Sequence, residues 1–343
     1  MATASVETTS TWGELIKHVG VQFAEVYNQS LESYSLAMDD MVAQQGNKLT
    51  SVAKNTPADG KVVHFIQKTG VGYPVVTDEN SAFHKDSRIL GYKTSVTIVK
   101  FTNAVDVTLE AMKDNAYKQQ LDEFADLTIG MKEGMDKSFF DGVCNYAFTA
   151  QSSLPSYVTG YGDGKPLLST SHPRKDGGTA QLNTFSSSET QLTLTDTNLE
   201  TARVYLQRQL DDRGKPTNGG GGKLVLLVPP ELEKTAVILT KGEKRSGTAN
   251  NDVNIYDGIM TVISSKYIAY TGNPSSLAST AWFLLDPRAA QLRFNLREGI
   301  QTHSFTHPET LTTSFYVYAR WAVSWVDWRG FFGSKGDVSA YSS

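Results

Sequence analysis

The sequence predicts an α+β chain, and three stretches carry that reading. Apolar residues recur at helical spacing over about 40 residues, from Thr108 to Phe148. Strict alternation runs from Thr313 to Trp325, with Phe315, Val317, Ala319, Trp321, Val323 and Trp325 on one side. A continuous apolar run, Leu224–Val228, is followed by Pro229-Pro230 and a helical pattern, as in a small α/β unit.

Residues 1–10 read as a polar tail. Trp12, Leu15, Ile16, Val19, Phe23, Val26 and Tyr27 then give one apolar helical face, with Thr11 and Glu14 spaced as a capping box. Residues 28–60 are less regular and end in the turn cluster Asn55–Gly60. Two strand-like runs follow, Lys61–Lys68 and Gly91–Thr102. Turn formers and charges separate them: Gly70, Gly72, Pro74, Asp78, Glu79, Asn80, Lys85, Asp86 and Arg88. The pattern predicts a long hairpin with a polar tip. A two-stranded hairpin is marginal in water by itself. It therefore lies on its own domain or is held by another molecule.

In the long helical stretch, Leu121, Phe124, Thr128, Met131, Met135, Phe139 and Val143 follow one stripe. Forty helical residues would span about 60 Å, enough for a spine linking separate parts. Gly130, Gly134 and Gly142 interrupt it, each costing about 1 kcal/mol relative to Ala. The alternative is two shorter helices with a break near Gly130–Gly134.

Residues 151–190 read as loop, punctuated by Gly160, Gly162, Gly164, Pro166, Pro173, Gly177 and Gly178. A second helix is expected over Asp196–Leu210, capped by Asp196. The tract Asp212–Gly222 is a turn or linker. After strand Leu224–Val228, Pro230 opens a helix over Glu231–Leu239. Short strands are expected near Ile259–Ser264, Lys266–Tyr270 and Trp282–Leu285.

Composition narrows the function. Hydrophobic residues are 39% of the 343, which suffices for a sizeable core and excludes wholesale disorder. The formal net charge of −4 argues against a nucleic-acid binder that works by bulk charge. Cys144 is the one cysteine, so neither an internal disulfide nor a cysteine zinc site exists; it reads as a small buried apolar residue. No apolar run approaches the ~20 residues that span a bilayer. Met1–Thr11 has no basic residue and no apolar stretch, so it does not read as a secretion signal.

Candidate chemistry fails one motif at a time. Gly219–Gly222 before Lys223 is not a phosphate loop: Thr217 stands where the first glycine belongs, Leu224 follows the lysine, and the run precedes a strand. Gly160-Tyr161-Gly162-Asp163-Gly164 lacks the apolar strand that a dinucleotide turn follows. His303 and His307 would share a face only on a helix, and Pro308 disfavours one. Ser169, Ser171 and His172 are neighbours without a nucleophile elbow. The adjacent acids Asp39-Asp40 and Asp211-Asp212 would diverge by about 100° on a helix. Asp327 and Arg329, flanking Trp328, suit a structural ion pair or a subunit contact better than catalysis. No catalytic, cofactor-binding or metal-binding residue is assigned, no cofactor is expected, and the chain reads as a non-enzyme.

Three strings remain. The first is Asp163-Gly164-Lys165-Pro166-Leu167-Leu168-Ser169-Thr170-Ser171-His172-Pro173, with Gly177-Gly178 and Asn183 after it. The second is Leu227-Val228-Pro229-Pro230-Glu231-Leu232 with Thr235-Ala236, and the third is Asp327-Trp328-Arg329-Gly330-Phe331-Phe332-Gly333-Ser334. With the order arm, hairpin, spine, glycine-rich loop, second helix, α/β insert and terminal strand, they resemble the major capsid proteins of tailed bacteriophages. That fold is shared with herpesvirus capsid floors. The likeness covers residues 12 to 335.

The resemblance implies roles. Residues 1–60 are an N-terminal arm, and 61–104 an extended loop lying across a neighbouring subunit. Residues 105–222 form a peripheral domain with the spine helix, completed by strands and tail in 291–343. Residues 223–290 are an axial domain meeting its copies at five-fold and six-fold positions. The implied partner is the chain itself, as hexamers and pentamers of an icosahedral head. That head encloses double-stranded DNA without sequence-specific binding, in a virion assembled in the host cytoplasm, with no membrane. Lys61, Lys68, Lys85, Asp86 and Arg88 on the hairpin, and Asp327 and Arg329, are the expected subunit contacts. A separate scaffolding protein is expected, because only about 60 residues precede the hairpin; a portal protein is the other expected partner, and a decoration protein an optional one. The alternatives are another virion component, such as a tail or decoration protein, and a serine-type hydrolase using Ser169 or Ser171 with His172.

Overall fold

The computed structural model describes residues 54–58, 60–68, 71–86, 89–113, 117–185, 191–217, 219–241 and 254–339. The expected polar tail and helix of residues 1–27 lie outside them. The architecture is α+β. In chain order come β1 (Lys54–Pro57), β2 (Val62–Lys68), β3 (Leu90–Thr97), β4 (Val99–Thr108), α1 (Leu109–Lys113) and α2 (Tyr117–Phe140). A π-helical turn at Asp141–Asn145 and β5 (Val158–Thr159) follow. Next are α3 (Asp196–Arg208), β6 (Leu224–Val228), α4 (Pro230–Thr240), β7 (Met260–Ser264), β8 (Trp282–Leu285), β9 (Leu292–His307), β10 (Thr312–Trp325) and β11 (Phe331–Ser334).

The described strands form three sheets. One has the order β1-β9-β10-β4, with β5 added parallel to β10 at Val323 and Ser324. The second has the order β11-β8-β6-β7, and β2 and β3 make a separate two-stranded sheet. The chain divides into two compact units: residues 1–41, 100–135 and 298–320 in one, and 42–99, 136–297 and 321–343 in the other.

In the first unit, β10 keeps the alternation that the sequence predicts. Phe315, Val317 and Ala319 are fully buried, while Tyr316, Tyr318 and Arg320 are half-exposed. On α2 the same stripe logic buries Leu127, Thr128 and Met131. The helix runs unbroken through Gly130 and Gly134, but it is 24 residues long rather than forty, because β4 runs to Thr108 and a π-helical turn follows Phe140. Among the described residues, neither glycine is crowded by a group outside its own helix backbone.

The second unit is organised around the sheet β11-β8-β6-β7. Successive residues of β6 go to opposite faces. Val225 and Leu227 pack with Phe283, Leu285 and Phe331, with Phe139 at the end of α2, and with Val143 and Cys144 of the π-helical turn. Leu224, Leu226 and Val228 pack with Trp282, Leu284, Phe332 and with Leu199, Ala202, Leu206 and Ala236 of α3 and α4. All five residues of β6 are buried because helices cover both faces, which is why the run is continuous rather than alternating. Each such side chain contributes roughly 1.5–3 kcal/mol.

Several expectations are corrected. The run Gly91–Thr102 is two strands: β3 pairs with β2 as far as Thr97, and after Ile98 the chain joins the other sheet as β4. Buried Ile98, beside Val96, Ala58 and Ala322, pins that crossover. Residues 266–270 form turns, not a strand, because the Ala269 N–H is taken by the Asn145 side chain at 2.9 Å. The cap of α3 is Thr195, which accepts from the Asn198 N–H; Asp196 sits in the first turn. Strand β9 went unread because its polar residues mask the alternation. It carries His303 and His307, so the two imidazoles do not share a helical face. Among the described residues no His, Cys, Asp or Glu cluster could hold a metal.

Candidate functional site

The three strings singled out in the sequence meet. Strand β6 opens the second string, and it pairs with β8, which pairs with β11 of the third. The first string closes over them. His172 stacks on Trp328 with ring centroids 4.3 Å apart and 7° between planes. The Gly333 N–H donates to the Asn183 carbonyl at 3.3 Å, and Thr184 Oγ1 donates to the Gly333 carbonyl at 2.8 Å. Gly330 adopts φ +79°, and a Cβ there would sit 2.5 Å from the Ala290 nitrogen, so only glycine fits the turn into β11.

His172 is fully buried. Its Nδ1 lies 2.7 Å from Asp163 Oδ2 and its Nε2 3.2 Å from Asn183 Oδ1. The Asn183 amide is fixed in turn, accepting from the Ser169 N–H at 2.8 Å and donating to the Leu167 carbonyl at 2.7 Å. Both imidazole nitrogens are therefore engaged by groups other than Ser169 or Ser171. A general base must reach the proton it removes, and this one is enclosed.

Beside it sits a second buried network. Arg329, 3% exposed, donates to Asp212 Oδ1 at 3.0 Å, to Asp327 Oδ1 at 3.1 Å and to the Leu210 carbonyl at 2.7 Å. Burial works against its charge, but the two carboxylates outweigh that and hold it protonated. Burial pushes the Asp327 carboxyl above its ordinary value of 3.8, against the pull of Arg329. A raised carboxyl binds its proton more tightly folded than unfolded. Its contribution to stability is complete below about pH 4 and is lost as pH rises through the raised value. Asp327→Asn, which cannot ionise, is expected to gain on wild type between about pH 4 and pH 7, read as the difference in urea midpoints. A difference that stays flat, or moves the other way, contradicts this.

The hairpin roots in these networks. Gln67, at the bulge near the end of β2, donates to Asp327 Oδ2 at 2.5 Å and accepts from the Tyr161 hydroxyl. Tyr92 of β3 meets Tyr161 edge-on at 5.2 Å, and the Lys175 ammonium lies 4.0 Å from the Tyr92 ring centre. Beyond the root the hairpin exposes apolar side chains. Val71, Tyr73, Val75, Val76 and Phe83 are exposed, with Val76 96% and Phe83 91% accessible. Single exposed apolar residues are ordinary, whereas five in one short segment are not.

The expected contact residues are distributed as follows. Lys61 and Lys85 are exposed. Asp86 pairs with Arg213 within the chain at 2.9 Å. Asp327 and Arg329 form the expected ion pair, buried within the chain. The Lys68 side chain and Arg88 lie outside the described residues. Sequence reasoning missed Gln67, Arg213 and Lys215, and set Asp212 aside as half of an adjacent acid pair. The turn-forming string Asp211-Asp212-Arg213-Gly214-Lys215-Pro216 was the available signal.

Comparison with known proteins agrees with this arrangement. The family described as phage capsid protein matches residues 91–333, well over half the chain. Among solved structures, the capsid of an empty GTA particle is similar at 11% identity and a TM-score of 0.50, covering 83% of this chain and 87% of that one. At that identity the likeness speaks to the fold. A structure from Microbacterium phage Oxtober96 has 11% identity, a TM-score of 0.48 and coverage of 83% and 89%. The acid-stable capsid of Helicobacter pylori bacteriophage KHP30 has 11% identity, a TM-score of 0.47 and coverage of 84% and 85%. No curated protein sequence matches. With the family match running from β3 through the spine helix into β11, the chain belongs to the phage capsid protein family.

Proposed function

We propose that the chain builds an icosahedral, DNA-containing head as hexamers and pentamers, each subunit laying its extended loop across a neighbour. The observation that supports this most is the bare apolar end of the hairpin. A two-stranded hairpin with exposed Val76 and Phe83 gains stability when a second copy covers it. Obligate interfaces of this kind bury on the order of 2,000 Å² or more. Shell formation is collective, so each subunit needs only moderate stability of its own.

In this reading residues 1–60 are the arm, 61–104 the extended loop, 105–222 and 291–343 the peripheral domain, and 223–290 the axial domain. Phe331–Ser334 lends a strand to the axial sheet. Lys61, Lys68, Lys85 and Arg88 contribute polar contacts at the rim of the loop interface. A separate scaffolding protein and a portal protein complete assembly in the host cytoplasm. The net charge of −4 suits a shell that encloses double-stranded DNA without gripping it.

The test is Val76→Asp together with Phe83→Asp. Both side chains are almost fully exposed, so the subunit should keep its fold and melting temperature. Sedimentation should show closed shells for wild type and only subunits or small rings for the variant. Shells at wild-type yield from the double variant would overturn the loop-docking reading.

A further inference from the structure

The arms of the extended loop are tied to a turn of their own chain. Arg213 Nη1 donates to both Asp86 oxygens at 2.9 Å. The Gly72 N–H, on the opposite arm, donates to the same carboxylate. Lys215 donates to the Val71 carbonyl, and its ammonium lies 4.4 Å from the Tyr73 ring centre. A Cβ at residue 72 would sit 2.9 Å from Asp86 Oδ2, so glycine is what lets the carboxylate approach.

The turn is itself rigid. Asp211 Oδ1 accepts from the Arg213 and Lys215 N–H groups, both at 2.8 Å. The Asp211 N–H donates to the Lys215 carbonyl at 2.7 Å. Arg329, Gln181 and the buried Asp212 fix its base. Two cations are thus presented at fixed positions to the two arms. Beyond the tie the apolar segment is free, with Val76 and Phe83 pointing to solvent.

We propose that the turn Asp211–Lys215 is a clasp that sets the direction of the extended loop in the unassembled subunit and presents its apolar end ready-made to a second copy. This rests on the loop-docking reading. A loop already held in its docking geometry loses less freedom on association, so assembly proceeds at lower protein concentration. The clasp leaves segment 74–85 uncovered, so it does not compete with the neighbour.

The experiment uses the full-length chain. Arg213→Asp and Asp86→Arg are made singly and together, with Lys215→Met as a milder variant. Proteolysis within residues 71–86 is measured on dilute, unassembled subunit, and assembly by light scattering against concentration. Each single reversal is expected to raise the cleavage rate roughly threefold and to raise the concentration needed for assembly by a similar factor. The double reversal recovers most of both, and Lys215→Met falls between. Raising salt from about 0.05 to about 0.5 M speeds cleavage of wild type but not of Arg213→Asp.

Single reversals with wild-type cleavage overturn the clasp, and so does a double variant no better than the singles. Singles that assemble faster than wild type also overturn it, since the contact would then be a restraint to be released. The proteolysis arm needs no shell, so it decides the clasp even if wild-type shells from Val76→Asp with Phe83→Asp overturn the loop-docking reading.

Discussion

Replacing Arg329 by alanine is expected to cost about 3–5 kcal/mol of subunit stability, measured by urea unfolding at neutral pH, or to leave the chain insoluble. The guanidinium serves two buried carboxylates, Asp212 and Asp327, and the Leu210 carbonyl at once. Removing it strands two charges in a dry interior. Desolvation then dominates, because among the described residues neither acid pairs with another cation. Arg329→Lys should recover only part of the loss, since a point charge cannot reach three acceptors that a planar fork reaches. Arg329 also holds the base of the Asp211–Lys215 turn, so partial unfolding should begin at residues 210–217 and the hairpin root. A loss under about 1 kcal/mol, the range of an exposed pair, would mean that the network is open to water.

His172→Ala is expected to cost about 2–4 kcal/mol, from the lost stack on Trp328 and the lost imidazole contacts to Asp163 and Asn183. His172→Phe should keep the stack and lose the hydrogen bonds, and so fall between. The same substitution separates the capsid reading from a serine hydrolase. In the hydrolase reading alanine abolishes turnover and leaves the fold alone. Here it weakens the fold, because the imidazole is enclosed. A His172→Ala subunit with wild-type stability would contradict the structural role given to this residue.

Much of the fold was legible because its residues bury one face or two. The alternation in β10 and the continuous run in β6 each report the number of covered faces, and both were read correctly. The long α2 stripe was read through its glycines. What escaped was decided by partners distant in sequence. Strand β9 carries Arg297, Glu298, Gln301, Thr302 and His303, polar residues that no local pattern marks as strand. The turns at 266–270 follow from Asn145, over a hundred residues away. The split of Gly91–Thr102 depends on Ile98 finding a buried niche. For the site, the three strings were visible but their meeting was not. The resemblance supplied the reason to expect a capsid, and the stack of His172 on Trp328 shows what the first and third strings do physically. Arg213 and Lys215 look like ordinary charges of a turn until the hairpin is seen beside them.

The central claim is that this chain is the repeating subunit of a closed shell. The most direct measurement is negative-stain electron microscopy of the purified full-length chain, concentrated at moderate salt, with and without a candidate scaffolding protein. Closed shells, rings of five or six, or tubular polyheads are the expected result. Only small monodisperse particles under both conditions, together with an unchanged, stable monomer on deletion of residues 62–102, would contradict it.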